Sequence, residues 1–247
     1  MIPEMYTSTQ GLIARQYELD LIANNLANVN TSGYRGTKPF IHAFNDALDQ
    51  DFLNPLNGMI NHQSVLNGQF MSQKQGGLKH TTGALDVALE GSGFFKLETP
   101  FGTRYTRRGH FQQDDNGFLT TEQGYFVLDN RGQRITLDAQ RVEIGADGSI
   151  SQGGTQKGQL AVVDLPNPEN LIPEEDVLIA SQDPNQAEQP SQARVAQGYL
   201  ETSNVNVAKE MVAMIQAQRA FDMNNRVIKT INTDIMQKMI STYGQYS

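Results

Sequence analysis

The chain has 247 residues, of which 38% are hydrophobic, and it carries a net charge of −8. That length admits one large domain or a smaller one with long appendages, and the acidic balance excludes a general attraction to nucleic acid or anionic lipid headgroups. Cysteine is absent, which rules out disulfides, thiolate nucleophiles and Cys-ligated metals, so the fold stands on packing and hydrogen bonds.

The opening Met1-Ile2-Pro3-Glu4-Met5 carries an acid and lacks a basic region followed by an apolar run, and no stretch of about 18 apolar residues occurs. Neither a cleavable secretory signal nor membrane insertion is expected. From residue 3 to about residue 30 the spacing predicts a helix: Met5, Leu12, Leu19 and Leu26 recur every seven residues, with Ile2, Ile13, Ile22 and Ala23 flanking them. Pro3 and Glu4 suit the first turn of a helix, and Gly33 supplies a stop.

Residues 34–78 are rich in Asn, Gln and Gly and hold no sustained period, although Phe40, Phe44, Leu48 and Phe52 allow a short amphipathic turn. They read as a linker. Residues 79–195 read as a β-rich domain of short runs at 94–98, 118–121, 125–128, 134–137, 142–144, 159–165 and 177–180. Asp115-Asn116-Gly117, Asp129-Asn130-Arg131-Gly132 and Ala146-Asp147-Gly148 are turn signals between them. The basic group Arg104, Arg107, Arg108 and His110 reads as a solvated hairpin surface. The five prolines of 166–190 mark a loop or edge excursion.

From 207 to about 240 the helical signature returns as an unbroken column of Val207, Met214, Phe221, Ile228 and Ile235, preceded by candidate caps Asn204 and Asn206. A second seam column is weak in both helices: Thr9, Gln16 and Ala23 in the first, Met211, Gln218, Asn225, Asn232 and Met239 in the last. Several amides on a seam predict a pairing that is marginal in isolation. At 1.5 Å per residue the helices run roughly 42 to 50 Å, longer than the β-domain needs as cover, so their apolar columns are expected to meet each other or other copies. Five of the nine methionines lie in the last helix, which suits packing against varied neighbours.

Residues for chemistry are sparse. His42, His62, His80 and His110 stand singly, Glu174-Glu175-Asp176 reads as a solvated charge run, and Gly91-Ser92-Gly93 precedes a strand and lacks the rest of a phosphate loop. No catalytic residue, metal, cofactor or small-molecule ligand is expected.

The stretch Ala23-Asn24-Asn25-Leu26-Ala27-Asn28-Val29-Asn30-Thr31-Ser32-Gly33-Tyr34-Arg35 resembles the signature shared by flagellar rod and hook proteins. A second stretch, Gln197-Gly198-Tyr199-Leu200-Glu201-Thr202-Ser203-Asn204-Val205-Asn206-Val207, followed by Gln218-Arg219-Ala220-Phe221, is similar to the family's C-terminal signature. The segment from Thr82 to Phe95, then Arg104-Tyr105-Thr106-Arg107 and Gly158-Gln159-Leu160-Ala161-Val162-Val163, most resembles F-type proximal rod subunits, whereas 201–207 and the run after it read more like G-type distal ones. The resemblance implies a structural subunit of the basal-body rod, partnered by other copies, other rod proteins and the flagellum-specific type III export apparatus. It further implies an inner tube of paired terminal helices and an outer β layer.

The expected fold is α+β: a stalk of residues 1–33 and 196–247 paired like a coiled coil, a linker at 34–78, and the β-rich domain. The expected assembly interface comprises Met5, Leu12, Leu19, Ala23, Asn24, Asn25, Leu26, Asn28 and Gly33 with Asn204, Asn206, Val207, Met211, Met214, Gln218, Phe221, Ile228 and Ile235. A competing expectation is a β-rich carbohydrate-binding module or hydrolase with a helical oligomerisation stalk, which requires a concave site with converging polar groups.

Overall fold

A computed structural model of the chain describes residues 2–43, 64–138, 140–166, 171–174, 177–181 and 188–243. Two helices bracket a mainly β central region: α1 spans Ile2–Ala27 and α2 spans Val207–Tyr243. The chain divides into two units, one of residues 1–26, 37–69 and 207–247, the other of residues 27–36 and 70–206.

In the helical unit, α1 ends three residues short of the sequence expectation, and the turn that follows carries Gly33 well beyond the last helical residue. Glu210 lies in the first turn of α2, where a carboxylate complements the helix dipole. Strands occur on both sides of the expected linker's centre, Thr37–Ala43 pairing with Ser64–Met71. Phe44, Leu48 and Phe52, the rest of the amphipathic turn read from sequence, lie outside the described residues, as do His62, Glu175 and Asp176.

In the β unit, the largest sheet among the described residues has nine strands. At its centre Phe94–Thr99 pairs antiparallel with Gly102–Thr106, setting Phe95 opposite Thr106 and Leu97 opposite Arg104. Phe95, Leu97, Leu89, Leu119, Val127, Ile150 and Leu160 share one core and are almost wholly buried. Each such side chain contributes about 1.5–3 kcal/mol by leaving water. A three-stranded sheet of Val142–Ile144, Ser149–Gln152 and Thr155–Gln159 closes over the same core.

The three turn signals share one device. Asp114, Asp129 and Asp147 each accept, on Oδ1, the N–H two residues on, at 3.0, 2.9 and 3.0 Å. Gly117, Gly132 and Gly148 then take φ of 87°, 75° and 80°, a region in which a Cβ is strained.

Two expected strands behave differently. Residues 134–137 form isolated bridges only, because the segment bonds to two neighbours in turn: Ile135 N–H donates to Val127 O, Ile135 O accepts from Leu119, and Leu137 N–H donates to Gly117 O. The run 159–165 is divided at Leu160 and Ala161. There the chain leaves the three-stranded sheet, Leu160 N–H reaching Gly148 O and Ala161 N–H reaching Leu128 O, and Val162–Asp164 joins the nine-stranded sheet.

Candidate assembly site

The helices meet through small and polar residues. Asn25 Nδ2 lies 3.5 Å from Glu210 Oε2, and a methyl placed on Gly11 would stand 3.3 Å from Asn224 Nδ2. Between these two contacts α1 runs back fourteen residues while α2 runs forward fourteen, the relation of an antiparallel pair. The covered positions are Leu21, Ile22, Asn25 and Ala217, whereas Leu12, Leu19 and Leu26 are half-buried. A seven-residue column drifts about 20° per heptad around a straight helix, so it does not coincide with the covered face of α1.

Asn25 is committed within its own chain. Its Nδ2 donates to Thr37 O at 2.8 Å and its Oδ1 accepts the Thr37 N–H at 2.9 Å, so one amide side chain satisfies a whole peptide unit. On α2, Met214, Phe221 and Ile228 are half-buried with Asn224 on the covered side. Away from that side Met211, Val212, Ile215, Met223 and Val227 are between 49% and 66% exposed, set among the charged Arg219, Asp222 and Arg226, and Val207, on the flank beside Met214, is 41% exposed. Of these, the seam columns had named only Val207 and Met211. The four-residue spacing of 207, 211 and 215 carries the signal for the rest of that face, but it runs across the heptad columns.

Ala23, Asn24, Asn206 and Gln218 are exposed and Asn28 is half-buried. Met5 and Ile235 lie in α1 and α2, outside the residues whose side chains are described. Gly33 is buried at φ 72°, where an added Cβ would lie 2.6 Å from Arg108 Cα, and its N–H donates to Glu201 O at 2.8 Å.

Three distant parts of the sequence converge within the β unit. Arg35, from the first signature, places Nη2 3.1 Å from Glu201 Oε1, and Arg107, from the bend that follows strand Gly102–Thr106, places Nη1 3.4 Å from Glu201 Oε2. All three side chains are at most 3% exposed. Gly76 N–H donates to Glu201 Oε1 at 3.0 Å, Arg35 Nη1 to Lys74 O at 2.6 Å, and Arg107 Nη2 to Gly91 O. Burial pulls the Arg107 guanidinium down to about 10 against the attraction of Glu201, and Arg35 adds to the fall; burial lowers Arg35 likewise. Asn204 completes the cluster. It accepts the Gly36 N–H at 2.8 Å and donates to Lys74 O at 2.6 Å, which leaves it a tie between segments rather than a helix cap.

The reading of the basic group as solvated surface is corrected at Arg107 and holds for Arg104, Arg108 and His110, which are partly or fully exposed. Arg107 is interior, and the others each hold an acid: Arg104 with Glu174 at 2.7 Å, Arg108 with Glu122, and His110 Nδ1 with Asp86 Oδ1 at 2.6 Å. Among the described residues no group of three His, Asp or Glu side chains is placed to hold a metal ion, and no helix is long and apolar enough to cross a membrane. A cleft of about 420 Å³ in the β unit is lined by Lys96, Asp129, Asn130, Asp147, Gln159 and Glu188 among others, with no aromatic ring on which a sugar could stack.

A pair of helices from the two chain ends, one of which leaves apolar side chains open to water, together with a β-sheet unit, makes the build of a structural subunit that assembles with others. The comparisons agree. Three family models match: flagella basal body rod protein at residues 5–35, the D1 domain of the flagellar hook protein FlgE/F/G at 88–152, and the C-terminal region of flagellar basal body rod FlgEFG proteins at 196–242. The chain is 35% identical to the flagellar basal-body rod protein FlgG of Buchnera aphidicola subsp. Acyrthosiphon pisum, over 97% of this chain and 99% of that one. Identity is 33% to FlgG of Bacillus subtilis, over 98% and 99%, and 33% to the rod protein FlgF of Caulobacter vibrioides, over 88% and 89%.

The chain belongs to the flagellar basal-body rod protein family. It is a structural subunit of the rod, located in the flagellar basal body, where it assembles with other rod proteins.

Proposed function

We propose that this chain is a non-enzymatic building block of the proximal rod, whose terminal helices pair as a coiled-coil-like stalk and are completed by the helices of neighbouring subunits. The observation that carries the reading is the row of exposed apolar side chains on α2. Val207, Met211, Ile215, Met223 and Val227 remain open to water although α1 contacts the other side of the helix. Exposed apolar side chains recurring along a helix mark a surface suited to cover by a neighbour.

The assembly interface read from sequence fits this arrangement in two classes. Met214, Phe221 and Ile228 serve the pairing with α1, and Val207, Met211 and Gln218 face the neighbours. Asn25, Gly33 and Asn204 act inside the subunit and set the geometry that the interface needs. Export in an unfolded state by the flagellum-specific type III apparatus, without a cleavable signal, accompanies the reading. The rod transmits torque through many buried contacts and makes or breaks no covalent bond.

Proximal placement is supported by the middle segment, including Gly158–Val163 as a run of F-type character. Distal placement is the second reading, favoured by 201–207 and by the FlgG relatives. Electron microscopy of isolated basal bodies carrying a tagged copy separates the two. Density at the inner-membrane end of the rod is expected, and density at the hook end would replace the proximal assignment with the distal one.

A further inference from the structure

The chain passes between its two units four times, at residues 26–27, 36–37, 69–70 and 206–207. On the β side all four passages belong to three short stretches, 27–36, 70–77 and 201–206. The stretches are tied to one another pairwise. Gly33 N–H bonds Glu201 O at 2.8 Å and Gly36 N–H bonds Asn204 Oδ1 at 2.8 Å, joining the first to the third. Ser72 N–H bonds Gly36 O at 2.9 Å and Arg35 bonds Lys74 O, joining the first to the second. Thr202 N–H bonds Gly77 O at 2.7 Å, and Gly76 N–H bonds the Glu201 carboxylate, joining the second to the third. Arg107 then anchors the whole group to the nine-stranded sheet through Glu201.

We propose that this collar, centred on Glu201 with Arg35, Arg107 and Asn204, is the torque-carrying junction of the subunit, through which load enters the β unit along four chain passages instead of one. The proposal rests on the rod reading for its load, but its structural half stands alone. Water cannot weaken an ion cluster that it does not reach, and hydrogen bonds that tie three stretches pairwise resist the sliding of any one of them. Glu201 is the least replaceable member, since its carboxylate faces both guanidinium groups and accepts the Gly76 N–H. Without it two cations remain buried with no anion between them. Several donors are already unsatisfied: Arg35 Nε, Arg107 Nε and Arg107 Nη1 are buried without a hydrogen-bond partner. The collar therefore has little tolerance for losing its one carboxylate.

Hydrogen exchange on the purified full-length protein tests the structural half. In Glu201→Gln the amides of Gly33, Gly36, Gly76 and Thr202 are expected to exchange faster by roughly 100-fold or more, while the Leu119 and Leu137 amides of the sheet core exchange as in the unaltered protein. Asn204→Ala, which removes hydrogen bonds and no charge, carries the same test should Glu201→Gln fail to fold. Unchanged collar amides in the variant that folds would overturn the collar. The mechanical half is read in a motile host. Cells carrying Asn204→Ala are expected to lose a larger fraction of their speed in viscous medium than in thin medium. Swimming like the unaltered strain at every viscosity would overturn the torque-carrying role. Deletion of the gene tests the rod reading separately, since motility that survives deletion removes the rod assignment and leaves the exchange result standing.

Discussion

Gly33 sits directly on the backbone of Arg108: at φ 72° its α-carbon faces the sheet so closely that a methyl group would come within 2.6 Å of Arg108 Cα. The residue that looked like a helix stop is in fact the seat of the post-helical turn on the segment that follows strand Gly102–Thr106. Two costs follow for Gly33→Ala, about 1–2 kcal/mol for a left-handed non-glycine residue and about 1–3 kcal/mol for crowding against rigid backbone. Chemical denaturation of the purified protein is expected to show a loss of that combined size. An unchanged midpoint would mean that the turn does not rest there.

Asn25 makes a second sharp case. With its side chain trimmed in Asn25→Ala, the Thr37 N–H and C=O lose their partners in a buried setting, at a cost of roughly 1–3 kcal/mol for each unsatisfied group. Asn25→Asp keeps the acceptor but forfeits the donor and sets a buried carboxylate beside Glu210, so it is expected to melt no higher than Asn25→Ala. A melting curve followed at a helix-sensitive wavelength orders the three proteins, and Asn25→Asp melting with the unaltered protein would show the donor to be idle.

The two faces of α2 are expected to respond oppositely. Phe221→Asp places a charge on the side turned toward α1 and is expected to destabilise the isolated subunit's helices, as is Leu19→Asp. Ile215→Glu alters a side chain that is 54% exposed, so the isolated subunit is expected to stay within about 0.5 kcal/mol of its original stability while motility is lost. Thermal melts beside swimming assays separate the classes. Normal swimming by Ile215→Glu would mean that no neighbour covers that face.

The exposed pair Arg134 and Glu98 supplies a pH test. Arg134 donates through Nε and Nη2 to the two Glu98 oxygens at 2.8 and 2.9 Å, and this bonding holds the Glu98 carboxyl below its ordinary range. A carboxyl whose folded value is lowered adds stability above its unfolded value, near 4.3, and loses it as pH falls through the folded value. The difference in stability between the unaltered protein and Glu98→Gln is thus expected at neutral pH and to shrink on acidification. A difference that grew toward low pH would reverse the sign of the coupling.

Much of the fold was legible because its signals are local. The seven-residue columns located both helices, and the Asp-to-Gly turn signals fell where side-chain oxygens hold backbone N–H groups. Residues 134–137 show the limit of such signals. The run was recognised as β-type, and Ile135 and Leu137 are buried, yet which neighbours they bond is decided by strands that lie elsewhere in the sequence.

The collar was not legible for a related reason. Arg35 and Glu201 stood inside both quoted signatures without being singled out, since nothing in either run says that a residue 166 positions away supplies its counter-charge. Arg107 was read as surface because a basic cluster usually is, and only the sheet reveals that one of the three arginines points inward. The outer face of α2 was missed through the choice of period: a heptad template selects one stripe, and a helix whose two sides are both apolar needs the 3.6-residue count.

The central claim is that the open face of α2 is covered by other subunits in the rod. The chain contains no cysteine, so Met211→Cys, Ile215→Cys and Met223→Cys each install a single thiol handle. Labelling by a water-soluble thiol reagent is expected to be rapid in the purified subunit and blocked in isolated basal bodies. Equal labelling of all three positions in both states would contradict the account.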